Sequence, residues 1–275
     1  RDETGAQDIH VFPNCIDFAD WPKVRIAEDK MVRILWQSSS THFEDIWPLA
    51  KTLGKLQRKY KNVEIILFGS PYGWLLKELV QDRTVVLGWV DYKVYMLRMS
   101  MLGHDINIAP LHNSEFNRCR TPIRMYESAA CWKPAATLAQ RVGPFKREII
   151  EGETGLLFDT VEDFETKLSN LIEDATLRKT IASNAKDWIR KHRDPKVHVT
   201  ELIEAYQKLR DTRRAVMLPP PPPPRIEDVP VPANELDLRR SKDAGSEAGQ
   251  PPEHGGVPSP SGGEHPESGP VLESL

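Results

Sequence analysis

The chain is short of the residues on which several common chemistries depend. It has 3 cysteines in 275 residues, Cys15, Cys119 and Cys131, and no CxxC pair. That spacing makes neither a metal site nor a disulfide framework, and free thiols suit a reducing compartment. There is no GxGxxG, no GxxxxGK[ST] and no HExxH, which removes the ordinary nicotinamide fingerprint, the P-loop and the zinc-protease helix. No apolar run approaches the ~18 residues of a membrane-spanning helix. Neither sign of charge dominates, with 37 Lys and Arg against 40 Asp and Glu, so the case for bulk nucleic-acid binding is absent. Residues 1–5 are polar, without a signal-peptide pattern or an initiator methionine. The chain is expected to be a fragment of a cytoplasmic protein, with peripheral contact at a membrane as the alternative.

Residues 219–275 lack aromatic side chains altogether and carry 14 of the 23 prolines and 7 of the 16 glycines. Six of those prolines run together at 219–224, which excludes a helix or a central strand. The rest of this tail is rich in Gly, Pro, Ser and Glu and holds too little apolar surface to offset ordering. It is expected to be disordered. About 210 residues remain, enough for one domain with a substantial core.

What is present is an alternation. Apolar runs at 31–36, 63–68, 84–87, 106–109, 134–138 and 155–158 read as short strands, buried on both faces. Between them, apolar positions at helical spacing predict helices at 44–60, 74–80, 92–102, 122–130 and 143–150. Helices at 161–173 and 175–192 follow, and a last one runs from the break at Pro195 to about 213. The pattern predicts an α/β, Rossmann-like parallel sheet with helices on both faces. In such folds ligands bind outside the carboxyl ends of the strands, here the loops at 37–43, 69–72, 88–91, 110–121, 139–144 and 159–160. Residues 9–12 look like one more strand without partner elements before it.

Three of those loops carry chemistry. The first holds Ser38, Ser39, Ser40, Thr41 and His42 between a strand and a helix. It offers contacts to a phosphate or sugar, or equally a helix cap with Glu44 and Asp45 in the favoured first turn. After the fourth strand, Arg118, Arg120 and Arg124 form a basic cluster. Guanidinium groups suit diphosphate oxygens, and a solvated surface patch is the competing account; Arg124 is expected on the helix surface. A helix opening near Pro122 has free N–H groups and a positive dipole end. It carries Glu127, a carboxylate suited to a vicinal diol or to pairing with Arg124. Gly143 and Pro144 start the next helix, and backbone N–H groups near Gly143 could face a sugar.

Taken in order, these residues resemble the C-terminal half of the retaining GT-B glycosyltransferases of the large group 1 family. The resemblance covers about residues 9–210. It is carried by 11–17, by Ser40, Thr41, His42 and Asp45, and by 105–111 with Phe116 and Asn117. The stretch from Pro122 to Glu127, Gly143-Pro144, Glu148 and 152–157 complete it. It implies a nucleotide-sugar donor, such as a UDP-, GDP- or ADP-sugar, and transfer with retention without a required metal. A glycan, lipid or other hydroxyl would be the acceptor, and a preceding Rossmann-like domain is implied.

By that resemblance residues 1–23 are a hinge strand and remnant, 24–194 the nucleotide-sugar domain, 195–214 a crossover helix and 215–275 the tail. Glu127 matches the second glutamate of the family's spaced pair, which holds the ribose hydroxyls. The first would lie eight residues earlier, where this chain has Cys119. Arg118, Arg120 and Glu127 become the candidate catalytic residues. Ser40, Thr41, His42, Thr121, Glu127 and Gly143 become the candidate donor contacts. A non-catalytic binding or scaffold module of the same descent is the alternative function.

Overall fold

The computed structural model describes residues 10–69 and 73–215; at residues 40, 73, 74 and 213–215 it describes the backbone alone. The tail and Ile9 lie outside the described residues. Six strands form one sheet: β1 Val32–Ser38, β2 Val63–Gly69, β3 Thr84–Leu87, β4 Ile106–Ala109, β5 Ala136–Gln140 and β6 Leu156–Phe158. The order is β3-β2-β1-β4-β5-β6, and every neighbouring pair is parallel. The helices between them are α1 Phe43–Ile46, α2 Ala50–Lys59, α3 Gly73–Glu78, α4 Tyr92–Met101, α5 Glu115–Arg118, α6 Ile123–Ala130 and α7 Gly143–Glu148. They are followed by α8 Val161–Glu173, α9 Ala175–Arg193 and α10 Pro195–Ala215. No described helix is long and apolar enough to cross a membrane.

Strand side chains alternate between faces, and this builds two separate apolar layers. Val32, Ile34, Trp36, Ile65, Leu67, Ile106, Ile108 and Leu138 pack on one face under Leu53 and Leu56 of α2 and Phe164, Leu168 and Leu171 of α8. Leu35, Ile66, Phe68, Ala109, Ala139 and Leu157 face the other way. They meet Met99 of α4, Met125, Tyr126 and Ala129 of α6, and Ala185 and Ile189 of α9. Strands with both faces covered cannot tolerate polar alternation, which is why they read as continuous apolar runs.

Helix starts are set by side-chain caps: Asp91 accepts from the Lys93 N–H, Thr160 from Asp163 and Asp174 from Leu177. Each satisfies one of the otherwise free N–H groups of a first turn. Pro195 stands at the first position of α10, where its missing N–H costs nothing.

Four expectations change. The helix expected over 44–60 is broken into α1, a 3₁₀ turn at Trp47–Leu49 and α2, because Pro48 has no N–H and its ring crowds the preceding turn. The first strand runs on to Gln37 and Ser38, which pair with Phe68 and Gly69. The fifth lies at Ala136–Gln140 rather than 134–138, since Pro134 cannot donate and Ala135 N–H goes to Ser128 O. Residues 10–12 form no strand. Their continuation is tied to α9 instead, Ile16 N–H donating to Arg193 O at 2.8 Å, followed by a 3₁₀ turn at Phe18–Asp20.

Candidate functional site

Strands β1, β2 and β3 run outward to one side, and the chain then returns to place β4 against β1. The connections leaving the carboxyl ends of β1 and β4 therefore diverge and open a crevice, the position where this class of sheet binds ligands. A cavity of about 370 Å³ lies there. Gln37, Ser38 and His42 line it from the end of β1 and the turn after it, Phe68 and Gly69 from β2, and Trp89, Val90, Tyr92 and Tyr95 from the stretch entering α4 and from α4; Arg120, Ile123, Arg124 and Glu127 close it from α6 and the turn before it.

One end of the cavity presents acceptors. Gln37 Nε2 donates to Glu127 Oε2 at 2.6 Å, and the Tyr95 hydroxyl donates to the same oxygen at 2.9 Å. Both protein donors thus converge on one carboxylate oxygen. Burial raises the Glu127 carboxyl above its ordinary pKa, against the lowering effect of these two hydrogen bonds and of Arg124. Tyr95 is itself held by stacking on Phe68, ring centroids 5.7 Å apart. Gln37 Oε1 and Ser38 Oγ are buried and find no hydrogen-bond partner among the described residues. Buried polar atoms in this state are unusual in folded chains, and both belong to residues that line the cavity.

The other end is cationic. Burial lowers the Arg124 guanidinium to about 10, the neighbouring Arg120 adding to the effect while Asp45 and Glu127 oppose it; it stays charged at neutral pH. The Arg120 guanidinium lies over the Phe116 ring, 5.4 Å from its centroid. His42 is buried, with Nδ1 hydrogen-bonded to Asp45 Oδ2. Its pKa is lowered by burial first, with Arg124 and Arg120 acting in the same direction and Asp45 against them.

Of the residues singled out from the sequence, His42, Arg120 and Glu127 line this cavity. Arg118 does not. It is exposed, and its Nη1 donates to Asn113 Oδ1 at 3.2 Å. Thr41 is exposed and shares a 2.8 Å hydrogen bond with Ser39 Oγ. Thr121 is exposed and accepts from Asn14 Nδ2 at 3.1 Å, tying residues 10–17 to the turn before α6. Gly143 has φ +38° and sits where a Cβ would come within 2.6 Å of Arg118 Cα. Close packing against Arg118 and a positive φ both require glycine at this position. The Ser40 side chain lies outside the described residues, and Cys119 is exposed.

Arg124 is a correction in the other direction. It was expected on the helix surface, yet it shares the cavity with Glu127 three residues later on α6. That i, i+3 spacing puts both side chains on one helical face, a signal the sequence carried. Gln37 and Tyr95 were missed, and Asp45 was named without a role in the site. Gln37 and Tyr95 reach Glu127 across separations of 90 and 32 residues, which no local spacing reveals.

A second cleft of about 370 Å³ lies near the amino-terminal ends of β4 and β5, lined by Arg25, Asp105, Trp132, Lys133 and Arg178. Three of its charged groups are already engaged: Lys133 pairs with Asp105 at 2.8 Å, and Arg178 donates to the Leu171 and Ile172 carbonyls. Among the described residues, no group of three or more His, Cys, Asp or Glu could hold a metal ion.

No family model matches the chain. A trehalose synthase of Pyrococcus horikoshii is 22% identical, over 66% of this chain and 48% of its own length. Among solved structures, the C-terminal domain of a glycosyl transferase group 1 family protein (LpcC) from Francisella tularensis aligns with a TM-score of 0.50 at 18% identity. That match covers 65% of this chain and 98% of that domain. Sucrose-phosphate synthase from Thermosynechococcus elongatus aligns at 0.57 and 14% identity, over 73% of this chain and 52% of that one. Anabaena HepE in complex with UDP-glucose aligns at 0.53 and 17% identity, over 65% and 49%. The chain spans less than half the length of the curated relatives it matches. Its fold is the one group 1 glycosyltransferases carry as their C-terminal domain.

Proposed function

We propose that this chain is the donor-binding half of a retaining glycosyltransferase, taking a nucleotide-sugar and transferring its sugar to a glycan, lipid or other hydroxyl acceptor. The observation that carries this is the two-ended cavity at the β1/β4 switch point. A ribose presents hydroxyl donors to the acceptor end, where the second oxygen of Glu127 receives neither of the hydrogen bonds from Gln37 and Tyr95. A diphosphate fits the end that holds Arg120, Arg124 and His42. The complex of HepE with UDP-glucose, a neighbour with the same fold, supports a ligand of this class.

The chemistry is electrostatic. As the bond from sugar carbon to diphosphate breaks, negative charge grows on the leaving group and positive charge on the sugar. Arg120, Arg124 and the N-terminal end of α6 offset the first of these. The acceptor and the remainder of the active cleft belong to a preceding Rossmann-like domain.

Calorimetric titration of the full chain with UDP, GDP and ADP tests the reading. One nucleotide is expected to bind saturably, and Glu127→Ala is expected to weaken it about tenfold or more, roughly 1.4 kcal/mol. Failure of a folded chain to bind any of the three refutes the donor-site reading and favours a scaffold module. Binding without sugar transfer by the full-length protein supports a non-catalytic descendant.

A further inference from the structure

One group behind the cavity wall, in contact with His42, is held more elaborately than a simple anion contact requires. Asp45, on α1, is buried. Its Oδ1 accepts from the His112 backbone N–H at 2.5 Å and from Asn117 Nδ2 at 3.4 Å, and its Oδ2 takes Nδ1 of His42. Asn117 is anchored in turn, donating to the His112 carbonyl at 2.8 Å. Two donors that cannot act as acceptors thus fix Asp45 as the accepting partner, and His42 Nδ1–H as its donor. In the neutral ring the proton then sits on Nδ1, and Nε2 is left with its lone pair. A lone pair repels phosphate oxygen; an Nε2–H attracts it.

We propose that Asp45 is a positioning residue that presents His42 Nε2 to the diphosphate side of the cavity, so that a nucleoside diphosphate binds with uptake of one proton onto Nε2. This rests on the donor-site reading above. The charged groups around His42 are Asp45 on its own turn, Arg120 from the turn before α6, and Arg124 and Glu127 on α6. Before the ligand arrives, the two guanidinium groups and burial keep the ring neutral. A bound diphosphate places its own negative charge among them and reverses that balance. The proton comes from solvent, no bond within the ligand changes, and the imidazolium formed donates to a phosphate oxygen while Nδ1–H stays on Asp45.

The test is calorimetry of the full chain with UDP at about pH 7 in buffers of different ionisation enthalpy. The observed heat is expected to depend on the buffer, with an uptake of up to about one proton per nucleotide, shrinking at lower pH as the free ring itself becomes protonated. In His42→Gln the uptake is expected to disappear. In Asp45→Asn, where the ring is no longer pinned, it is expected to fall although His42 remains. Glu127→Gln is expected to retain it at ligand concentrations that saturate the weakened site.

Binding with buffer-independent heat overturns the inference and leaves the donor-site reading standing. Uptake that persists in His42→Gln and vanishes in Glu127→Gln puts the proton on Glu127 and also overturns it. If no nucleoside diphosphate binds, the donor-site reading and the inference fall together. The unsubstituted chain carries the primary measurement, so a variant that does not fold removes only the assignment to a residue, which proton NMR of the His42 ring with and without UDP then supplies.

Discussion

Acidification is expected to remove stability from this domain in large part through a buried imidazole, His104. It is fully buried between α4 and β4, and its Nε2 hydrogen-bonds Ser128 Oγ on α6 at 3.2 Å. Nδ1 has no partner among the described residues. Burial lowers its pKa to about 4, Lys133 adding to the effect and Asp105 opposing it. In the unfolded chain the same group titrates near 6.5. Between those values the unfolded state binds the proton and the folded state does not, so stability rises with pH and is lost on acidification.

For these two pKa values the loss between about pH 7 and pH 5 comes to roughly 2 kcal/mol. At a urea dependence of about 2 kcal/mol per molar for a domain of this size, that is a fall in midpoint of about 1 M. Urea unfolding at several pH values, followed by circular dichroism, measures it. His104→Leu is expected to be less stable at neutral pH, because Ser128 loses its partner, but to show a midpoint about 1 M less sensitive to pH over this window. The lowered pKa of His42 acts in the same direction in both proteins. The raised pKa of Glu127 acts in the opposite direction, since its folded form holds the proton longer. The comparison between the two proteins isolates His104. Parallel losses in both would refute the argument, as would an NMR titration of the His104 ring centred near 6.5.

Two further substitutions probe the site's supports. Gly143→Ala forces a side chain into φ +38° and sets its Cβ within 2.6 to 3.0 Å of three Arg118 backbone atoms. About 2–3 kcal/mol of stability is expected to go, with weaker UDP binding because Arg120 is two residues along, whereas Gly152→Asn, at φ +79° with open space around it, is expected to cost little; thermal unfolding and calorimetry check both. Tyr95→Phe removes one of the two donors to Glu127 Oε2. It is expected to cost about 1–2 kcal/mol and to raise the Glu127 carboxyl further, visible as the acid limb of UDP binding moving to higher pH.

The sheet was legible because a strand buried on both faces has only apolar residues to show. The strands at 84–87 and 106–109 and the helix at 161–173 have the bounds the pattern predicts. Residues 10–12 misled for the same reason: Val11 and Phe12 are apolar and consecutive, but the described sheet includes no strand from them, and Val11 is 82% exposed. Within the site, His42, Arg120 and Glu127 could be found because each lies in a loop beyond a strand's carboxyl end or within the first two turns of the helix that follows. Gln37 could not, since it ends an apolar strand and acquires its role only when α6 brings Glu127 to within 2.6 Å. Asp45 was absorbed into the helix-start pattern, and its grip on His42, His112 and Asn117 depends on how the loop after β4 folds back over α1.

The alternation of strand side chains into two layers has a consequence for how such a domain can change over generations. No buried residue of one layer belongs to the other, and most of the cavity wall comes from strand ends and the connections beyond them. Positions such as Trp89, Val90 and Tyr92 can therefore be exchanged while the two layers keep the sheet intact. Gln37, Phe68 and Glu127 sit at the seam between rim and core and are not free in that way. A lineage can drift to a new ligand by altering the rim alone, and the residues at the seam mark where that freedom stops.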